Sequence, residues 1–135
     1  MPRVKKPPVP LEKEIQKSIM ARMRFLGLEP YRRNVAAMTA DYKGKRRFIK
    51  AGEAGQSDIW SILPDKRHVE LEVKRPGEEP TVKQLDWLHK TNAITGASFW
   101  ADDPQVAEDV LKALMGGASI VYQHAQAPHF DVAFL

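Results

Sequence analysis

Residues 69–74 read Val69-Glu70-Leu71-Glu72-Val73-Lys74, a strict alternation of apolar and charged side chains. Successive side chains of a β-strand point to opposite faces, so Val69, Leu71 and Val73 share one face and Glu70, Glu72 and Lys74 the other. Glu72 and Lys74 must then project to the same side, roughly 7 Å apart at ~3.3 Å rise per residue. Pro76-Gly77 stops the strand.

Upstream of this strand, Asp58 to Leu63 is a short apolar run closed by a turn at Pro64-Asp65. A glycine-bearing loop, Gly52-Glu53-Ala54-Gly55, precedes it. Lys43-Gly44-Lys45 predicts a tight turn into a strand over Arg46–Lys50, and Tyr31–Ala40 an extended segment. Leu11 to Leu26 predicts an amphipathic helix: Leu11, Ile15, Ile19, Met23 and Leu26 recur at three- and four-residue spacing, and Gly27 ends it.

Downstream, a second helix runs from Thr81 to about Ala93, and Ala97–Ala101 is another short strand. Asp103-Pro104 opens a third helix with proline in its first turn, and Gly116-Gly117 closes it. Ala118 to Leu135 has room for one or two further strands and no clearer signal. The order helix, strand hairpin, two strands, helix, strand, helix predicts an α/β fold: a central mixed sheet flanked by helices.

Bulk properties set the class. A chain of 135 residues is expected to form one domain over residues 11–135, large enough to bury a core without staples. Residues 1–10 are basic and proline-rich with no apolar stretch, which predicts a flexible basic arm rather than a signal peptide. No apolar run approaches the ~20 residues of a membrane helix. With no cysteine the chain has no disulfide and no thiolate metal site, which permits a reducing cytoplasm, the expected compartment. The net charge of +4 is modest, but Lys and Arg crowd the first half, a distribution suited to phosphate-backbone contact and equally to an ordinary solvated face.

The chemistry-bearing residues are Asp58, Glu72 and Lys74. Two carboxylates on neighbouring strands can hold Mg²⁺ or Mn²⁺, hard cations that prefer oxygen ligands. A lysine beside them can orient or activate a water, or offset charge building on phosphorus. Taken bare, Glu-x-Lys also suits an exposed strand face carrying a surface ion pair. The placement of these residues at strand ends, where sites of open α/β sheets collect, favours chemistry. The glycine loop before Asp58 would leave room for a nucleic-acid backbone. Trp60, Trp87 and Trp100 read as core, and His124 and His129 as surface residues without a carboxylate partner.

From about Leu11 to Leu114 the sequence resembles the VRR-NUC domains, a branch of the PD-(D/E)xK restriction-endonuclease-like superfamily. The resemblance is carried by Glu12-Lys13-Glu14-Ile15-Gln16, Arg33-Asn34, Gly55-Gln56-Ser57-Asp58-Ile59, Glu70-Leu71-Glu72-Val73-Lys74 and Thr81-Val82-Lys83-Gln84. It implies the three-layer restriction-endonuclease-like fold and a Mg²⁺- or Mn²⁺-dependent endonuclease acting on duplex or branched DNA. Asp58, Glu72 and the Val73 carbonyl would be metal ligands, and Lys74 would position or deprotonate the water.

A helix glutamate is also implied near the metal. Glu12 and Glu14 compete for it, and Glu12 is favoured because it shares the stripe of Ile15 and Ile19. Gln84 would sit beside Glu-x-Lys, although with Thr81 it also spells a Thr-x-x-Gln capping box. Arg33, Arg46, Arg47, Lys50 and Arg75 are the expected nucleic-acid contacts. Cutting a four-way junction needs two paired sites, which implies a homodimer. The alternative is a nucleic-acid-binding or assembly protein on the same fold without the chemistry.

Overall fold

The structure is a computed structural model; it describes residues 8–33, 37–42, 45–50, 55–122 and 131–134, with backbone alone for 37–42, 45–50 and 131–134. In chain order the elements are α1 (Glu12–Phe25), β1 (Tyr31–Arg32), β2 (Ala37–Tyr42), β3 (Lys45–Lys50), β4 (Ile59–Ile62), β5 (His68–Val73), α2 (Val82–Thr95), β6 (Ser98–Ala101), α3 (Pro104–Met115), β7 (Ala118–Val121) and β8 (Asp131–Phe134).

Helix α1 follows the middle of the stripe that predicted it: Ile15, Ile19 and Met23, four residues apart, are all buried, whereas Leu11 at the N-cap is exposed and Leu26 at the C-cap only partly buried. Glu14 reaches back to accept the Leu11 backbone N–H at 3.1 Å, satisfying one of the orphan groups at the helix start. Helix α2 begins with the capping box: Thr81 Oγ1 accepts the Gln84 N–H, and Gln84 Oε1 accepts the Thr81 N–H. Asp103 caps α3 through the N–H groups of Gln105 and Val106, ahead of Pro104 in the first turn.

The main sheet has the order β1-β4-β5-β6. β1–β4 and β4–β5 are antiparallel, and β5–β6 is parallel, joined through α2. It is therefore a mixed sheet within an α/β fold. β2 pairs antiparallel with β3, the expected turn at residues 43 and 44 lying outside the described residues, and β7 pairs with β8 in a separate two-stranded sheet.

The two faces of the main sheet are covered differently. Val69, Leu71 and Val73 of β5, with Ile59 and Phe99, join Ile15, Ile19 and Met23 of α1 and Leu111 and Leu114 of α3 in one apolar core. Ile59, Leu71 and Phe99 are fully buried, each worth about 1.5–3 kcal/mol. Helix α2 packs on β5 and β6 and buries Leu88. Two hydroxyls, Thr91 and Ser98, meet there at 2.6 Å. Among the described residues no helix is long and apolar enough to cross a membrane.

One consequence decides between two readings of Glu-x-Lys. The charged face of β5 is not solvated: Glu70, Glu72 and Lys74 are only 2%, 1% and 8% exposed. A surface ion pair on an open strand face is excluded. These charges are buried, and burial of charge demands partners.

Candidate metal centre

Register builds the site. Ile59 lies opposite Leu71 in the antiparallel β4–β5 pair, so Asp58, one residue before β4, comes beside the end of β5. There its Oδ2 accepts the Val73 backbone N–H at 3.0 Å, which fixes the carboxylate next to Glu72. Glu12, in the first turn of α1, completes a trio. One carboxylate oxygen from each of Glu12, Asp58 and Glu72 lies within 4.8 Å of the others. Glu14, by contrast, is occupied at the helix start.

Glu72 is the buried member, and its two oxygens differ. Oε1 accepts the Gln84 side-chain N–H at 3.0 Å and lies 3.8 Å from Lys74 Nζ. Oε2 is buried with no hydrogen-bond partner among the described residues. A buried carboxylate oxygen left without a donor costs about 1–3 kcal/mol or more, so its presence calls for an explanation.

Electrostatics point the same way. Burial pushes the Glu72 carboxyl up to about 9, with the neighbouring Asp58 carboxylate adding to the rise. Lys74 pulls it down but does not restore an ordinary value; at 3.8 Å the ammonium makes no hydrogen bond to offset burial. Burial, then Asp58, also raises Glu12. Crowded, half-desolvated carboxylates hold a proton that a divalent cation would displace. Oxygens sharing an ion with 2.0–2.1 Å bonds lie no more than ~4.2 Å apart, so small side-chain rotations bring the trio onto one cation. The residues present therefore fit Mg²⁺ or Mn²⁺.

A second buried cluster adjoins the first. Glu70 receives both arms of the Arg33 guanidinium, at 2.7 and 3.0 Å, together with the Ser57 hydroxyl and His68 Nε2. Arg33 also donates to the Ser57 carbonyl and stands 5.8 Å from the Trp87 ring centroid. Its backbone N–H donates to the Asp58 carbonyl at 2.7 Å. The cluster thus clamps the segment that ends in Asp58. The partnership was hidden in the sequence because Arg33 and Glu70 are far apart along the chain; their only signal is that Glu70 shares the face of Glu72.

The other expected contacts fall as follows. Arg33 is engaged inside the protein rather than presented to a phosphate. Arg75 donates to the carbonyls of Pro10 and Val9, tying the chain just ahead of α1 to the residue after Lys74. The side chains of Arg46, Arg47 and Lys50 lie outside the described residues, as do His124 and His129. Val73 joins the site through its N–H; its carbonyl as a ligand belongs to the proposal below. Trp100 is buried, while Trp60 is sandwiched between Tyr31 and His68 with ring centroids 4.3 and 5.3 Å away.

Gly55, the described residue of the glycine loop, leaves room for protein. At Gly55 (φ +90°) an added Cβ would sit 2.7 Å from the Lys83 carbonyl oxygen, so what approaches this glycine is the first turn of α2. That contact seats the chain three residues ahead of Asp58 against the helical turn that carries Gln84.

Compared with protein-family models, with curated proteins and with solved structures, the chain matches none.

Proposed function

We propose that the chain is a Mg²⁺- or Mn²⁺-dependent endonuclease that hydrolyses phosphodiester bonds of DNA. The observation that carries the reading is the meeting of one carboxylate oxygen each from Glu12, Asp58 and Glu72 within 4.8 Å, with Lys74 beside Glu72. The resemblance of the same residues to the VRR-NUC pattern supports it.

Glu12, Asp58, Glu72 and the Val73 carbonyl would hold the cation, which supplies positive charge where the phosphorane gathers negative charge and makes water a better nucleophile. Asp58 is held for this by the Val73 N–H, and Glu72 by the Gln84 amide. Lys74 carries three donors and can orient the attacking water through one of them. The water oxygen bonds to phosphorus as the bond to the 3′ oxygen breaks in line. The water proton passes to solvent and the 3′ oxygen takes one up, leaving a 5′ phosphate. Branched DNA as the preferred substrate, and a homodimer to cut it, are the extensions implied by the resemblance.

The test is to incubate the protein with labelled four-way junction, flap, duplex and single-stranded DNA in Mg²⁺, Mn²⁺ or EDTA, beside Lys74→Ala. Metal-dependent cutting lost in the variant is the expected result. Binding without cutting in either metal would instead support the non-catalytic binder.

A further inference from the structure

The cations crowded into the first half of the chain do not share one fate. Arg22 of α1 is taken up by Glu108 and Gln105 of α3, at 3.0 and 2.9 Å. Arg33 is taken up by Glu70, and, in the second half of the chain, Arg75 is taken up by the carbonyls ahead of α1. Lys13, Lys17, Arg24 and Arg32 differ: among the described residues none of them forms an ion pair. These four converge, with Gln16 and Met20, on one groove of about 240 Å³ between α1 and β1.

The groove has a direction. Lys13, Lys17, Met20 and Arg24 recur at spacings of four, three and four, one stripe of α1. From Lys13 to Arg24 the helix rises ~16 Å. Gln16 stands one turn, ~6 Å, from Glu12 and on the same side, so the stripe starts beside the carboxylate trio and runs away from it. Arg32 reaches the groove from β1, on the sheet face opposite the stacked Tyr31.

Four unpaired cations around one groove repel each other and favour an anion. Gln16 narrows its chemistry. It is only 8% exposed and lines the groove, and its buried Oε1 has no partner among the described residues, so a donor from a ligand would meet it once the amide turns outward. A carbonyl oxygen needs a donor, which the edge of a nucleobase carries and a phosphate oxygen does not. Met20 adds a polarizable apolar floor. Backbone and base edge come within reach of one narrow groove when the base is unpaired.

We propose that the α1–β1 groove binds a single-stranded segment of the DNA, its phosphates on Lys13, Lys17, Arg24 and Arg32 and a base edge on Gln16, and thereby fixes where the strand meets the carboxylate trio. The assignment of DNA rests on the nuclease reading. The groove's affinity for a strand is measurable without any cutting.

The experiment follows a fluorescein-labelled single-stranded oligonucleotide by anisotropy in EDTA across a salt series, with wild type and Lys17→Ala/Arg24→Ala. Both side chains are exposed on a helix surface, and unfolding curves check that the variant folds. The expected result is binding at least about tenfold weaker, with the slope of log affinity against log salt smaller by about 1.4, or ~0.7 per lost phosphate contact. Mn²⁺ affinity by calorimetry stays at the wild-type value, because neither residue belongs to the trio. Unchanged affinity and salt slope overturn the groove even if the protein cuts DNA. Tighter binding of a blunt duplex, with the variant's loss confined to it, overturns the single-strand assignment. A protein that never cuts in Mn²⁺ fails the nuclease reading alone.

Discussion

Gln84 hydrogen-bonds Glu72 while capping its own helix: its Nε2 donates to Glu72 Oε1 at 3.0 Å, and its Oε1 accepts the Thr81 N–H at 2.9 Å. The capping reading and the site reading of this residue are both met by one amide. Its two ends have opposite chemistry, an acceptor for the helix start and a donor for the carboxylate, and no carboxylate could serve both.

Gln84→Glu separates the two roles. Glutamate can accept the Thr81 N–H, so the cap survives, but it puts a second acceptor against Glu72 Oε1. Stability in EDTA is expected to stay within about 1 kcal/mol of wild type, the scale of a helix cap. Mn²⁺ affinity is expected to fall, because like charge raises the proton affinity of Glu72 further. Gln84→Ala should lose both. Thermal unfolding and Mn²⁺ calorimetry, run on the two variants together, read the split.

The raised Glu72 carboxyl makes the metal-free protein sensitive to base. With a folded value of about 9 against an ordinary 4.5, the folded chain holds a proton that the unfolded chain has released between those limits. Stability in EDTA should therefore be highest at the acid end of that window and decline as pH rises through it. Glu12 shifts the same way and adds to the slope. Glu72→Gln, which keeps a neutral group there, is expected to flatten it. Mn²⁺ should stabilise the wild type increasingly as pH rises, with proton release visible when calorimetry is repeated in buffers of different ionisation enthalpy.

Arg33 and Glu70 form a buried ion pair, their side chains 20% and 3% exposed. Arg33→Ala strands the Glu70 charge and is expected to cost about 3–5 kcal/mol in urea unfolding. Arg33→Met with Glu70→Gln removes both charges and keeps a partner for Ser57 and His68, and should recover most of that loss. Equal destabilisation by the single and double variants would contradict the pairing.

Gly55→Ala meets the Lys83 carbonyl at 2.7 Å and a backbone φ of +90°. A cost of about 1–3 kcal/mol is expected from the backbone conformation, more if the loop cannot shift. Because Asp58 follows three residues later, Mn²⁺ affinity should fall along with stability. A glycine whose role was to admit DNA would leave Mn²⁺ affinity untouched, so the metal titration decides.

Local signals were legible. The alternation of Val69 to Lys74, the four-residue stripe of α1, the Thr81–Gln84 box and the Asp103-Pro104 start each depend on neighbours in sequence, and each appears at its expected place. Asp58, Glu72 and Lys74 could be grouped because a strand pair brings them together across a short turn. Long-range partnerships were not legible. Nothing near Arg33 announces Glu70, nothing near Gly55 announces Lys83, and a two-residue strand such as β1 has too few residues to show a period. Nor does composition tell a paired cation such as Arg22 from an unpaired one such as Lys17.

The carboxylates of the trio stand at positions 12, 58 and 72, on α1, just ahead of β4 and on β5, which meet only when the sheet and α1 have docked. No single element of the chain holds all three, and closing the loop from α1 to β4 comes at an entropic cost. Repulsion among the carboxylates is thus felt only where α1 and the sheet have docked, and relief by a cation comes only to a finished fold. Occupancy of this centre would act as a latch, slowing the first opening of α1 away from the sheet.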